Sequence, residues 1–230
     1  YSTLLLLPAF FLLVFSYTRS GYLALLVGMC LVLFIFVKKS RWPLILLPLA
    51  SFIPLALLLP QRLGAHALAG DGRWDLWKFG WEVFCSKPWF GAGFGEYNRA
   101  FRALGFVPTL DEITISHPHN IYLQFLCESG IVGTFFILIF LLGFLYWGYR
   151  RVRQGLEQAQ AAHARQAIYH WRLATFFWAA WGAYLANGIF GHDFFRLWWF
   201  SLSMTLLGLM IGACCNAPDL DKNIENNILE

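Results

Sequence analysis

Charge is what this sequence has least of. Only 13% of its 230 residues are charged, roughly half the share in soluble domains, too few to maintain a surface that faces water all round. Hydrophobic residues make up 59% and the mean hydropathy is +0.57, so lipid is the natural solvent. The formal charge of +4 is small. Its basic residues cluster beside apolar runs, where the positive-inside rule explains them and nucleic-acid binding does not. Paired cysteine spacing is missing as well: Cys30, Cys85, Cys127, Cys214 and Cys215 fit neither a zinc site nor a disulfide framework and read as apolar filling. Nothing has the pattern of a cleavable signal peptide, and Tyr1 already stands in an apolar run. The chain therefore reads as the C-terminal part of something longer.

What is present is a series of apolar runs rich in aromatics, with eleven Trp and twenty-three Phe, as in proteins that place aromatic belts at membrane interfaces. The expected fold is all-α, a polytopic membrane helical bundle of about six spans. Residues 1–59 supply three transmembrane helices, with Thr18-Arg19-Ser20-Gly21 at the mouth of the first hairpin. Residues 60–119 form the one long polar loop, and residues 120–149 the fourth span. Residues 150–170 are a linker or solvated helix, residues 171–213 two further spans joined at Gly191-His192-Asp193, and residues 214–230 a polar tail. Prolines 43, 48 and 54 in the third run are tolerable where neighbouring helices re-satisfy the backbone. If the basic clusters Lys38 to Arg41 and Arg150 to Arg153 face the cytoplasm, alternation sends Arg19, the polar loop and His192 to Arg196 to the opposite side. Soluble nucleotide donors are scarce there.

Inside the loop, Trp74, Trp77, Trp81 and Phe84 recur at intervals of three and four beside a stripe of Asp75, Lys78 and Glu82, which predicts an amphipathic helix. Its aromatic face either lies in the membrane interface or packs on the protein's own spans. Arg73, just before it, is either a loop arginine paired with Asp71 or Asp75, or a planar fork offered to phosphate. Pro88-Trp89-Phe90-Gly91-Ala92-Gly93-Phe94-Gly95 lacks the preceding strand and the lysine of a P-loop. It reads as a tight turn ahead of a second short helix from Glu96 to Leu104, or as an amide nest for an anion. Arg19 either snorkels to water or, with Arg73 and a histidine on the same side, meets an anionic lipid headgroup such as a diphosphate.

The stretch from His117 to Thr134 gathers two imidazoles, an amide and a carboxylate at the start of an uncharged run from Ile131 to Trp147, and ionisable groups at the lip of a membrane helix are unfavourable unless they serve a purpose. Pro118 and Asn120 could simply start a helix. His119 could also be a general base, since imidazole takes a proton near neutral pH. Glu128 reads as a polar lining or a helix–helix bond. Gly130, Gly133 and Thr134 read as a small-residue patch for close helix approach.

His119-Asn120, nine residues, then Gly130-x-x-Gly133-Thr134 resembles the signature of the O-antigen ligase and O-antigen polymerase superfamily of bacterial inner-membrane proteins. Gly72-Arg73, Trp77 and the Pro88 to Gly95 turn are similar to that family's loop pattern, and Thr18-Arg19-Ser20-Gly21 to its arginine at a span end. The resemblance runs from about Arg19 to Gly148. It implies a metal-independent, cofactor-free, inverting membrane glycosyltransferase of GT-C-like type. The implied donor is an undecaprenyl diphosphate-linked glycan and the implied acceptor a glycolipid (lipid A-core), glycan or protein hydroxyl. By matching motif His119 takes the catalytic position and Arg19 and Arg73 the diphosphate positions. Asn120, Glu128, Asp193 and Arg196 are supporting candidates. Within the superfamily the readings are ligase, polymerase and protein O-oligosaccharyltransferase. A transporter of lipid-linked glycan, with Arg19, Glu128 and Asp193 lining a path, is less favoured because the polar residues do not continue through the spans.

Overall fold

The computed structural model describes residues 18–36, 73–105, 117–191 and 194–216. The expected first and third spans, the Lys38 to Arg41 cluster, His192, Asp193 and the end of the tail lie outside them. Among the described residues the secondary structure is six α-helices and one 3-10 turn, with no strand. In chain order the helices are α1 (Arg19–Phe36), α2 (Arg73–Ser86), α3 (Tyr97–Ala103), α4 (Ile121–Ala161), α5 (Arg165–Asn187) and α6 (Leu197–Cys215), with the 3-10 turn Gly188–Phe190 after α5. Two of them, α4 and α6, are long and apolar enough to cross a membrane, and α1 is a shorter apolar helix.

The core is built around α5, which packs on α1, α4 and α6. It buries Trp171, Ala174, Trp178, Ala179, Trp181 and Leu185. Small residues set the approach: a Cβ on Gly182 would stand 2.5 Å from Leu31 Cδ1, and one on Gly148 would stand 2.9 Å from Trp178 Cδ1. Trp178 Nε1 donates to Leu145 O at 2.8 Å, giving the indole a partner in an apolar core. The helix expected from Trp171 to Ile189 starts earlier, at Arg165, and its far end tightens into the 3-10 turn.

The bundle has two distinct ends. At one, Gly188 sits against Ile121, Tyr122 Oη donates to Leu185 O at 2.8 Å and Tyr184 Oη to Trp199 O at 3.0 Å. The start of α4, the end of α5 and the start of α6 therefore meet there. Gly21, near the start of α1, lines one groove with Asn187, so α1 begins at this end too. At the other end Arg151 Nη2 donates to Cys214 O at 3.0 Å, and His170 Nε2 lies 2.6 Å from Ala213 O. These two groups engage the final carbonyls of α6, where a helix C-terminus favours cations.

At 1.5 Å per residue, the 41 residues of α4 span about 60 Å, twice the hydrocarbon thickness of a bilayer. The excess at the basic end folds back on α5. Residues 150–170, expected as a linker or solvated helix, are helical on both sides of a turn at 162–164. They bury a seam of Val152, Leu156, Ala159, Ala164 and Ala167, with Gly155 under the indole of Trp171.

The loop helices also differ from expectation in detail. Helix α2 buries Gly80, Val83 and Phe84, whereas Trp74 and Trp81 are exposed at 58% and 55%. Its packed face is thus rotated toward Gly80, taking in Phe84 and part of Trp77 and leaving Trp74 and Trp81 outside. Gly80 decides the rotation, because a Cβ there would come within 2.7 Å of Leu123 and 3.2 Å of Pro118. Helix α3 forms where expected and closes a small second core through Tyr97 and Phe101. Burial pushes the Tyr97 phenol above its ordinary pKa, with the Cys127 thiol adding to the effect.

Candidate active site

His119 adopts a left-handed backbone conformation, with φ 51°, which is uncommon outside glycine and costs about 1–3 kcal/mol. Its neighbours hold it there. Pro118 is buried between two imidazoles and against Gly80 of α2, and its ring fixes its own φ. Asn120 is extended and caps α4: its Oδ1 accepts from Tyr122 N at 3.0 Å and Leu123 N at 3.1 Å. Between these clamps the His119 ring is half-buried and lies 4.3 Å, centroid to centroid, from the ring of buried His117. The second imidazole had no assigned role from the sequence. Only its spacing, two residues from His119 across a proline, hinted at the pairing.

Ten residues into α4 the helix breaks at Gly130, with φ 66° and ψ −171°, a conformation open essentially to glycine alone. The glycine-rich turn repairs the break. Ile131 N donates to Pro88 O at 2.8 Å and Val132 N to Trp89 O at 3.2 Å, while Ala92 N donates to Cys127 O at 2.8 Å and Gly93 N to Glu128 O at 2.9 Å. Four backbone groups released by the kink are satisfied by a segment from the polar loop. The approach is backbone to backbone: a Cβ on Gly130 would stand 2.4 Å from Trp89 C, and one on Gly91 would stand 2.4 Å from Glu128 C. The nest reading of the turn fails here, because its amides are spent on the protein's own acceptors. The small-residue patch is corrected likewise. What approaches Gly130 is this loop, and Gly133 makes room for the Ser129 side chain, whose Oγ donates to Phe125 O at 2.7 Å.

Glu128 is 2% exposed. Its Oε2 accepts from Gly95 N at 2.9 Å and its Oε1 accepts from Gln124 Nε2 at 3.2 Å. Gln124 Oε1 in turn accepts from Phe194 N at 3.1 Å. The carboxylate thus links α4 to the loop. Phe94 and Phe195 meet edge to face at 5.0 Å beside it.

The predicted arginines start helices that share this end. Arg19 is the first residue of α1, and Arg73 the first of α2. One turn beyond Arg73, Trp77 stacks on Phe190 at 5.6 Å. Its buried Nε1 has no hydrogen-bond acceptor among the described residues. The side chains of Arg19 and Arg73, like Asp193, lie outside the described residues. Arg196 precedes α6 at this same end, exposed, with its guanidinium 5.7 Å over Trp198. Cavities are lined by the described residues at two places. An apolar groove of about 800 Å³ lies between α1 and α5, and a cleft of about 580 Å³ beside Lys87, Glu96 and Arg99 lies between the turn and α3. Among the described residues no three His, Cys, Asp or Glu gather to hold a metal ion.

Among the described residues the fold is all-helical, with two helices long and apolar enough to cross a membrane. The sequence itself is decisive: the profile of the O-antigen ligase family matches residues 4–138, more than half of the chain, and the chain belongs to that family. The match takes in Arg19, Arg73, His119 and the Gly91–Gly130 contact and stops within α4, short of α5 and α6. No curated protein and no solved structure matches the chain. Membership makes this a glycosyltransferase-like enzyme of the O-antigen ligase and polymerase type.

Proposed function

We propose that this chain belongs to an inner-membrane ligase that moves a glycan from undecaprenyl diphosphate to an acceptor hydroxyl of lipid A-core on the periplasmic face. The carrying observation is the convergence at one end of the bundle of His119, held in a left-handed conformation, with the first residues of α1 and α2. His119 takes the proton from the acceptor hydroxyl, and the freed oxygen attacks the anomeric carbon. The bond from that carbon to the diphosphate oxygen breaks, its electron pair leaves with the diphosphate, and the configuration inverts. Arg19 and Arg73 neutralise the departing charge. Trp77 Nε1, buried one turn from Arg73, supplies a further donor on that side. Asn120 spends its Oδ1 on the helix cap, which leaves its amide nitrogen for a sugar oxygen. Arg196, exposed ahead of α6, and Asp193 are the weaker supporting candidates.

The experiment is transfer by the full-length protein in membranes. His119→Ala lowers turnover about 100- to 10,000-fold, the range of a general base, and Arg73→Ala or Arg19→Ala lowers it with a rise in donor KM. Near-normal turnover in His119→Ala overturns the mechanism. The lipopolysaccharide profile of a deletion strain separates the related activities. Loss of every ladder band with accumulated lipid-linked polymer marks a ligase, a single attached repeat marks a polymerase, and an unchanged ladder marks a protein or other acceptor.

A further inference from the structure

We propose that Gln124 and Glu128 are positioning residues, a two-side-chain hydrogen-bond relay that sets the glycine-rich loop and the α5–α6 connection against the helix that carries His119. The inference rests on the functional reading above and goes beyond it, by assigning Glu128 a role in which its charge takes no part in the chemistry. The two residues are four apart on one face of α4, and both are buried, at 1% and 2% exposure. Each end of the relay takes a backbone N–H from a different segment: Gly95 in the loop and Phe194 after α5. The central bond runs from Gln124 Nε2 to Glu128 Oε1. The relay therefore ties three segments together, through two side chains that lie five and nine residues after His119. Displacement of a catalytic constellation by about 1 Å costs on the order of 100-fold in rate.

The direction of these bonds makes the proposal testable. In Glu128→Gln two amide groups face each other as donors. In Gln124→Glu two carboxylates face each other without a shared donor. Either change leaves a buried polar group unsatisfied. In the double variant Gln124→Glu/Glu128→Gln these three bonds return. The glutamate at 124 accepts from Phe194 N and from the new amide at 128, whose oxygen accepts from Gly95 N.

The full-length protein is assayed in membranes for glycan transfer and, independently, for tryptic cleavage after Arg99 and Arg102 in the loop. Each single variant loses transfer about 10- to 100-fold and is cleaved faster. The double variant recovers both to within about threefold of wild type. A double variant that stays as inactive as Glu128→Gln while its loop is protected shows that the carboxylate itself is required, and overturns the relay. So does full transfer in both single variants, or transfer lost with cleavage unchanged. His119→Ala separates this from the functional reading: it loses transfer with wild-type loop protection. If it keeps transfer, the catalytic assignment falls while the cleavage pattern of the relay variants is still decisive.

Discussion

Gly130 and Gly91 are where single residues matter most. Each lies with its Cα hydrogen against the other segment's backbone, and Gly130 adds a backbone geometry that a side chain resists. Gly130→Ala should abolish transfer and accelerate loop proteolysis, because the helix would straighten and release its four bonds to the turn; unaltered cleavage kinetics would contradict this. Asn120→Ala removes a two-donor cap and should cost about 1 kcal/mol, read as a lowered unfolding temperature of the purified protein. His119→Asn should retain that temperature, since asparagine tolerates left-handed φ, and yet fail to transfer. The histidine signature and both glycine motifs were plain in the sequence, because they are fixed spacings along the chain. Their joint purpose was not, since nothing in the spacing says that the turn ending at Gly95 docks on the helix broken at Gly130. Gln124 went unremarked altogether. The available signal was an amide four residues ahead of a carboxylate in an otherwise apolar helix start.

At the level of elements, α2 shows how a stripe can mislead. Its tryptophans repeat at helical spacing and suggest the packed face, but the glycine at position 80 admits the closest neighbour and turns the helix about it. Phe84→Ala should therefore cost about 3 kcal/mol, while Trp81→Ala should stay within about 0.5 kcal/mol when both are melted in detergent. The reverse order would put Trp81 on the packed face in place of Phe84. The short helix α3 and the start of α4 were legible from capping and turn chemistry. The packed hairpin between α4 and α5 was not, because its alanine- and glutamine-rich composition reads as solvated until Trp171 is seen lying over Gly155.

On the scale of the molecule, the two ends carry different chemistry, and the protein supplies its own reporters of which side each faces. Cys85 on α2 and Cys215 at the close of α6 are both exposed and belong to opposite ends. A membrane-impermeant maleimide added to intact spheroplasts should modify Cys85 and spare Cys215, with both reacting after permeabilisation. Labelling of Cys215 alone would invert the proposed orientation and with it the assignment of the active face. The expected sidedness comes from Lys and Arg placement alone, and the labelling tests it. The central position of α5, the least apolar of the long helices, was decided by packing that no hydropathy profile records.

The contact between turn and kinked helix is written almost wholly in main-chain atoms, so it is indifferent to what most of its residues are. A loop transplanted from a distant relative should seat itself in this scaffold as long as its glycine falls opposite Gly130.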